Sequence, residues 1–462
     1  MKSGIKRSQP AVSPARAAAF DILLRVEREF SYASELLHSR TYSSLTSVDH
    51  SLATELVMGV LRWRSLLDAQ VSESSAQPLS KLDLEVLTAL RLAVYQLRWL
   101  TRIPARAAIN ESVELVKRAR KRSAAPFVNA VLRKLSGAMS PGEYASPAIS
   151  SASVEALAAS SAHPPWLVER WALQYGLEAA TQICRHNQSV PVTMIRLRHP
   201  EAEDQLRAEG IELASGAFLA YARQVRHGDV TKTSAFRSGL CAIQDEASQL
   251  VAALVGRGAR VLDCCAAPGG KTRAIADRNL DSNVTAVDLH PHRARLLRSL
   301  VRTQHPSTEA ANISIVAADA RDLPFAGSFD RVLADVPCSG TGTLSRNPEI
   351  KWRLTPEDLP DFQARQSAIL GSALSQVAVG GRAIYSTCSL EQEENEGVVE
   401  SVLAGNSAFR VVDCKTELQH LHQQGELIGS DLSWLTRGPY LRTVPGVHPC
   451  DGFFAAILES VS

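Results

Sequence analysis

The chain has 462 residues, which is too long for one ordinary domain and indicates about three. Hydrophobic residues make up 45% and charged residues 21%, so the composition excludes a disordered chain, a collagen and a disulfide scaffold. Lys and Arg total 50 against 48 Asp and Glu. The net charge of +2 therefore gives no overall indication of a nucleic-acid partner.

The eight cysteines are scattered and form no C-x-x-C pair, so the sequence predicts neither a disulfide framework nor a metal site. Asp21 and Arg25 interrupt the N-terminal apolar stretch before it resembles a signal peptide. No run of 18 apolar residues predicts a transmembrane helix. We therefore expect a cytoplasmic protein with reduced thiols, no membrane contact and no bound metal.

The charge is divided unevenly along the chain. Residues 1–150 carry 21 Lys and Arg against 13 Asp and Glu, a net charge of +8, whereas residues 151–462 carry 29 against 35, a net charge of −6. Apolar spacings of three and four residues, as in residues 81–99, predict that the basic part is helical. The cations are densest in a group that we call the basic cluster, which consists of Lys117, Arg118, Arg120, Lys121, Arg122, Arg133 and Lys134. This cluster is either a solvated helix end or a surface that contacts RNA or DNA.

Two segments of this basic part carry a resemblance to a known family. Residues 81–99 and the stretch IPARAAINESVELVKRARKRSAAPFVNAVLRKL resemble the second half of NusB-like RNA-binding domains. The resemblance covers about residues 14–140. It implies an all-α NusB-like domain over residues 1–140 and a role in RNA binding.

Two segments separate this domain from the rest of the chain. Residues 141–162 are rich in Ser, Ala and Pro, which is typical of a linker. Residues 163–238 begin with a helix that contains Trp166 and Trp171 and continue with a strand-like VTMIRLR. We expect a small α+β RNA-binding segment, in which the tryptophans are core anchors rather than base-stacking platforms.

Residues 239–462 alternate strand-like and helical stretches, which predicts an α/β domain with a parallel, Rossmann-like sheet. The expected strands are 259–265, 283–288, 312–319, 331–336, 382–387 and 452–458. The whole chain is therefore predicted to be multidomain, with an all-α, a small α+β and an α/β part.

The loop Cys265–Thr272 (CAAPGGKT) follows the first of these strands and precedes a helix. Its GKT ending is typical of a phosphate-binding loop, but Cys265 stands where such a loop needs glycine. The alternative is a loop for a nucleoside cofactor, whose carboxylate meets the free N–H groups of the helix. Asp288 could then hold ribose hydroxyls and Asp319 could reach a purine, unless each is only a helix cap.

Cysteines also follow two later strands. Asp335–Gly340 contains Cys338, and Ser386–Ser389 contains Cys388. Adjacent strands lie about 4.8 Å apart, and ligands bind beyond the carboxyl ends of such strands. Both thiols are therefore expected in one crevice, the alternative being that both are small core residues.

These loops carry the second resemblance. CAAPGGKT, ADVPCSGTGTLSRNPEIKWR and YSTCSLEQEENEGVVE are similar to segments of the RNA cytosine-C5 methyltransferases, which use S-adenosylmethionine. The match covers residues 239–462. With the NusB-like domain, the chain resembles the bacterial members that act on 16S ribosomal RNA. The resemblance implies that the partner is small-subunit ribosomal RNA or an assembly intermediate, and we expect the protein to be a monomer.

The resemblance also implies residue roles. Cys388 is the nucleophile that adds to cytosine C6, and Cys338 is the thiol needed for the later elimination. Asp335 holds the N3 and N4 edge of the base, and Lys271 orders Asp335. The residues implied for the cofactor are Cys265, Ala266, Ala267, Pro268, Gly269, Gly270 and Lys271, with Asp288 at the ribose, Asp319 at the adenine and Asp335 close to the methyl donor.

Three alternatives remain at this point. A DNA cytosine methyltransferase would use Cys338 as its nucleophile and would not need Cys388. A transfer-RNA methyltransferase of the same fold is compatible with the catalytic segments, although the NusB-like domain favours ribosomal RNA. A non-catalytic antitermination-type factor predicts a degenerate cofactor loop or missing thiols, and the sequence shows neither.

Overall fold

The computed structural model describes residues 12–138, 148–304, 313–325, 327–429 and 431–461. The chain forms two compact units. Unit 1 consists of Met1–Val190 and Leu344–Arg353, and unit 2 of Pro191–Thr343 and Leu354–Ser462. Among the described residues, no helix is long and apolar enough to cross a membrane.

Unit 1 is helical, as predicted, and its core is formed by the apolar faces of its first helices. The Thr46 hydroxyl accepts a hydrogen bond from Asp49 N and thereby caps the longest of them. The helices before residue 190 are α1 (Pro14–Glu29), α2 (Ala33–Leu37), α3 (Ser47–Ser74), α4 (Leu84–Trp99), α5 (Ala105–Arg118), α6 (Ala125–Ala138), α7 (Val154–Ser160), α8 (Pro165–Tyr175) and α9 (Leu177–Gln188).

The positions of helices α7–α9 differ from the predicted domain boundaries. Helix α7 lies within the predicted linker 141–162, of which 141–147 fall outside the described residues. Helices α8 and α9 belong to unit 1 rather than to the following α+β segment. Trp171 on α8 is completely buried, as expected of a core anchor.

Unit 2 begins with a small antiparallel sheet in the order β2-β3-β1-β4. It extends to residue 243, five residues beyond the predicted end of the α+β segment. Its strands are β1 (Met194–Leu197), β2 (Glu212–Ser215), β3 (Ala222–His227) and β4 (Cys241–Ile243), and the helices of this region are α10 (Glu201–Ala208), α11 (Ser234–Arg237) and α12 (Glu246–Leu254).

The larger sheet of unit 2 alternates with helices, as the sequence predicts. Its strands are β5 (Arg260–Asp263), β6 (Asn283–Asp288), β7 (Ile313–Ala317), β8 (Phe329–Asp335), β9 (Val377–Thr387), β10 (Phe409–Val412), β11 (Thr436–Arg437), β12 (Tyr440–Thr443) and β13 (Phe453–Ser460). The helices are α13 (Gly270–Arg278), α14 (Pro291–Gln304), α15 (Ile350–Arg353, in unit 1), α16 (Leu359–Leu374), α17 (Glu396–Leu403) and α18 (Cys414–Gln423).

The strand order β11-β12-β13-β9-β8-β5-β6-β7 places β5 between β8 and β6. Strands β5 to β9 are parallel, which confirms the expected Rossmann-like fold. Strands β6 and β7 follow on one side of β5, and β8 and β9 follow on the other side. The carboxyl ends of β5 and β8 therefore border the crevice where such sheets bind ligands.

The final strand departs from a purely parallel sheet, because β13 is antiparallel to both β9 and β12. Only nine residues connect β12 to β13. A parallel connection needs a crossover of a dozen or more residues, so this short link requires an antiparallel pair.

Candidate active site

The predicted cofactor loop leaves the end of β5 and leads into α13. The Ala266 N–H donates to the Val287 carbonyl at 2.8 Å, which holds the loop against the end of β6. Gly269 has a φ of +114°, and a Cβ at this position would lie 2.4 Å from Leu297 Cδ1. Glycine is therefore required here, and helix α13 begins at the next residue with its N–H groups directed toward the loop.

Asp288 ends β6 and Asp319 follows the end of β7 by two residues, and these strands are parallel neighbours. Asp288 is buried, and its Oδ1 accepts a hydrogen bond from His290 N at 3.0 Å. Asp319 is half-buried and accepts hydrogen bonds from the Arg321 guanidinium, which hold its pKa below the ordinary value. In the strand order, both carboxylates lie on the opposite side of β5 from the cysteine loops.

Lys271 and Asp335 form an ion pair that joins the loop after β5 to the end of β8. The Nζ–Oδ2 distance is 2.7 Å, and the ammonium also lies 4.9 Å from the centre of the Phe453 ring. Burial by itself would lower the pKa of Lys271, but the Asp335 carboxylate outweighs it and raises that pKa. Asp335 is opposite Ser386 in the register of β8 and β9, and the Ser386 hydroxyl donates to its Oδ1 at 2.8 Å.

The two predicted cysteines lie together in the loops that follow β8 and β9. Their Sγ atoms are 3.2 Å apart, and the Cys388 N–H donates to the Cys338 Sγ at 3.3 Å. The hydrogen bond with Cys388 and the burial of the thiol raise the pKa of Cys338 well above its ordinary value. Both residues are only partly buried, which favours a crevice over the alternative that both are core residues.

Gly342 holds the Cys388 loop at this close approach. Its N–H donates to the Cys388 carbonyl at 2.9 Å, and its carbonyl accepts from the Gly452 N–H at 2.8 Å. A Cβ on Gly342 would lie 2.8 Å from the Cys388 oxygen and 2.3 Å from the Gly452 oxygen. The backbone chains can therefore meet here only because the residue is glycine.

The carboxylates of Asp263 and Glu394 are buried near the site and were not predicted from the sequence. Asp263 ends β5, its Oδ2 accepts from the Thr272 hydroxyl at 2.7 Å, and burial raises its pKa to about 7. Its position at the end of a strand, shortly before the cofactor loop, is a signal in the sequence from which a site residue could have been predicted. Glu394 is completely buried, although it lies in the acidic run EQEENE, which is typical of an exposed surface.

The arrangement has the components of nucleophilic catalysis at the carboxyl ends of parallel strands. A pair of thiols lies in the loops after β8 and β9, and an ammonium–carboxylate pair lies at the end of β8. The structure thus brings together Cys338 and Cys388, and separately Lys271 and Asp335, as the sequence predicts.

Comparisons with known proteins agree with this architecture. Residues 13–137 match the NusB family, and residues 254–459 match the family described as 16S rRNA methyltransferase RsmB/F. A Bacillus subtilis protein named probable ribosomal RNA small subunit methyltransferase B is 35% identical, over 85% of this chain and 89% of its own.

A Pseudomonas putida protein named ribosomal RNA small subunit methyltransferase B is 33% identical, over 80% of this chain and 84% of its own. The crystal structure of the protein PH0851 has a TM-score of 0.78 and covers 98% of this chain and 100% of its own. At 22% identity it supports the fold alone. The chain therefore belongs to the RsmB/F family of 16S rRNA methyltransferases, joined to a NusB-family domain, and the predicted class of enzyme is confirmed.

Proposed function

We propose that this enzyme transfers a methyl group from S-adenosylmethionine to carbon 5 of a cytosine in 16S ribosomal RNA, through a covalent bond between Cys388 Sγ and cytosine C6. The observation that carries this proposal is the 3.2 Å separation of the Cys338 and Cys388 sulfur atoms at the carboxyl ends of neighbouring strands. A second thiol so close to the first can supply the base that the elimination step needs.

The thiol chemistry follows from the reactivity of the base. Carbon 5 of cytosine is a weak nucleophile, and addition of the Cys388 thiolate at C6 converts it into the nucleophilic carbon of an enamine. After methylation, Cys338 accepts the proton from C5. The C5=C6 double bond then re-forms as the Cys388 Sγ–C6 bond breaks.

Asp335 holds the N3 and N4 edge of the cytosine, where charge develops during addition. Hydrogen bonds from Lys271 and Ser386 orient its carboxylate before the base binds. Lys271 thus acts on the base through Asp335. This pre-orientation favours the transition state because little rearrangement remains to be made.

The residues around α13 fit S-adenosylmethionine. The N–H groups at the start of α13 suit its carboxylate, and the Gly269 conformation allows a ligand to approach the backbone. The loop Cys265–Lys271 would hold the cofactor, with Asp288 available for the ribose, Asp319 for the adenine and Asp335 for the end that carries the methyl group. When bound, the cofactor supplies an electrophilic methyl group.

Unit 1 supplies the surface for the RNA partner, which is small-subunit ribosomal RNA or an assembly intermediate. In the basic cluster, Arg120, Arg122 and Arg133 are exposed. Exposed cations of this kind bind phosphates and release counterions. The NusB-family match over residues 13–137 supports the same role.

The deciding experiment incubates the protein with methyl-labelled S-adenosylmethionine and either 16S ribosomal RNA, small-subunit particles or transfer RNA. Label recovered as 5-methylcytosine from the ribosomal substrates, and lost with Cys388→Ala, is the expected result. Label in transfer RNA alone would mean that the substrate is transfer RNA rather than ribosomal RNA. Binding of RNA without transfer of label to any substrate would favour the non-catalytic alternative.

A further inference from the structure

Glu394 is a completely buried carboxylate six residues after Cys388 in the chain. Its Oε2 accepts hydrogen bonds from the Ser339 N–H at 2.8 Å and from Gln366 Nε2 at 2.9 Å. Its Oε1 accepts from the Ser389 hydroxyl at 2.6 Å and from the Ser339 hydroxyl. These partners are located on both cysteine loops and on α16.

The partners of Glu394 lie next to the reactive thiols. Ser339 follows Cys338, and Ser389 follows Cys388. The two serine hydroxyls also lie 3.0 Å apart. A single carboxylate therefore ties together the two loops whose sulfur atoms face each other, and hydrogen bonds to a charged acceptor are stronger than neutral ones.

The Cys388 loop has further anchors that do not involve Glu394. Asn395 Nδ2 donates to the Ser389 carbonyl at 2.9 Å, and the Ser389 N–H donates to the Thr387 hydroxyl at 3.2 Å. The Gly342 N–H holds the Cys388 carbonyl itself. The backbone of this loop is therefore held even if the Glu394 carboxylate is lost.

The Cys338 loop depends much more on Glu394. Both the N–H and the hydroxyl of Ser339 donate to its carboxylate. Gln366 Nε2 donates to the Pro337 carbonyl at 3.0 Å, but the same amide group is oriented by Glu394. Loss of the carboxylate therefore loosens the loop on both sides of Cys338.

We propose that Glu394 is a positioning residue that holds Cys338 in place for the elimination step, in which the methylated base is released. The inference rests on the proposed function. In that step Cys338 reacts as the thiolate, after its own proton has passed to solvent: the C5 proton passes to the Cys338 sulfur, the electrons of the C5–H bond form the C5=C6 double bond, and Cys388 leaves as a thiolate. A displaced Cys338 slows this step while Cys388 still adds to the base.

The test is Glu394→Gln in the full-length protein, with 16S ribosomal RNA and S-adenosylmethionine. Glutamine keeps the size of the side chain, but its NH2 group would face N–H and O–H groups that donate to the Glu394 carboxylate in the wild type. Turnover is expected to fall on the order of tenfold, and the KM for S-adenosylmethionine stays unchanged. The specific readout is the RNA–protein adduct on a denaturing gel, which accumulates because addition outpaces release.

The matched control is Glu246→Gln. Glu246 is equally buried in unit 2, and its carboxylate accepts hydrogen bonds from the backbone N–H groups of Ala217, Phe218 and Leu219. This variant is expected to lower the melting temperature without accumulating adduct. Adduct in both variants would mean that general loosening is the cause, which overturns the role of Glu394.

Ser339→Ala is a second, milder variant, because it removes only the hydroxyl that donates to Glu394. It is expected to accumulate adduct in a smaller proportion. In a Cys338→Ala background, Glu394→Gln should not slow adduct release further, since the two residues serve the same step. Normal release in both Glu394→Gln and Ser339→Ala overturns the inference, whereas absence of methylation by the wild type overturns the proposed function instead.

Discussion

The Lys271 ammonium lies 2.7 Å from the Asp335 carboxylate and so joins the ends of two strands at the position where the sheet order reverses. The side chains are 14% and 24% exposed, so the pair is largely removed from water. Lys271→Met leaves Asp335 without its cation. We expect methyl transfer to fall about a hundredfold and the free energy of unfolding to fall by about 2 kcal/mol.

The pH dependence of this ion pair has a definite sign. The pKa of Lys271 is raised above the ordinary value of 10.5, with the Asp335 carboxylate outweighing the opposing effect of burial. The stability that it contributes is therefore fully present below pH 10.5 and is lost as the pH rises through the raised pKa. The melting-temperature difference between wild type and Lys271→Met should shrink above pH 10.5. The exposed Lys232–Asp229 pair supplies a control, since Lys232→Met should change little.

The two thiols have separable effects. Cys388→Ala should abolish both methyl transfer and any covalent RNA–protein species, because it removes the nucleophile. Cys338→Ala should still form the adduct but resolve it slowly, which produces a retarded band on a denaturing gel. Cys241, buried in β4, provides the matched cysteine-to-alanine control. Loss of methyl transfer and of all adduct in Cys338→Ala, together with a trapped adduct in Cys388→Ala, would reverse the two roles.

Asp263 makes the stability of unit 2 depend on pH near neutrality. Burial raises its pKa to about 7, so its contribution is fully present below the unfolded pKa of about 3.9 and is lost as the pH rises through 7. Asp263→Asn keeps an acceptor for Thr272 and removes the titration. From pH 4 to pH 8, the free energy of unfolding of the variant should rise relative to that of the wild type by roughly 4 kcal/mol. Urea titrations that show a constant difference would contradict this assignment.

Arg353 stabilises unit 1 through backbone carbonyls at the end of α1. Its guanidinium donates to Val26 O at 2.6 Å, Phe30 O at 2.9 Å and Ser31 O at 2.7 Å. Arg353→Ala should lower the free energy of unfolding of unit 1 by about 2–4 kcal/mol. Hydrogen exchange of the amides around Val26–Ser31 should accelerate, and Arg353→Lys should recover only part of the protection because lysine lacks the planar fork. Unchanged protection in Arg353→Ala would contradict the prediction.

The basic cluster should set the salt dependence of RNA binding. Replacing the exposed Arg120 and Arg122 by Gln should weaken binding and lower the slope of log K against log salt concentration by up to about 2. Arg102 and Arg106 are exposed in the same unit and provide a control with the same loss of charge. Filter binding at several salt concentrations measures the slopes. Equal slopes for the two double variants would show that the basic cluster contributes no more to RNA binding than other exposed arginines of unit 1.

Local patterns in the sequence were sufficient for the fold class and for the meeting of the two reactive cysteines. Strands and helices alternate from residue 240, and each strand end is followed by a polar loop. Parallel strands end at the same edge of a sheet. The convergence of Cys338 with Cys388 could therefore be predicted without coordinates, whereas the pairing of Lys271 with Asp335 was implied only by the family resemblance.

Only the tertiary structure decided what surrounds those residues. Glu394 lies in an acidic run that has the composition of a surface, and it is buried because Ser339 and Ser389 supply its hydrogen bonds. Arg353 follows the Cys338 loop in the chain but packs in unit 1, against a carbonyl 327 residues away. Spacing and composition report the periodicity of single elements, whereas the burial of a charged group depends on partners that distant segments provide.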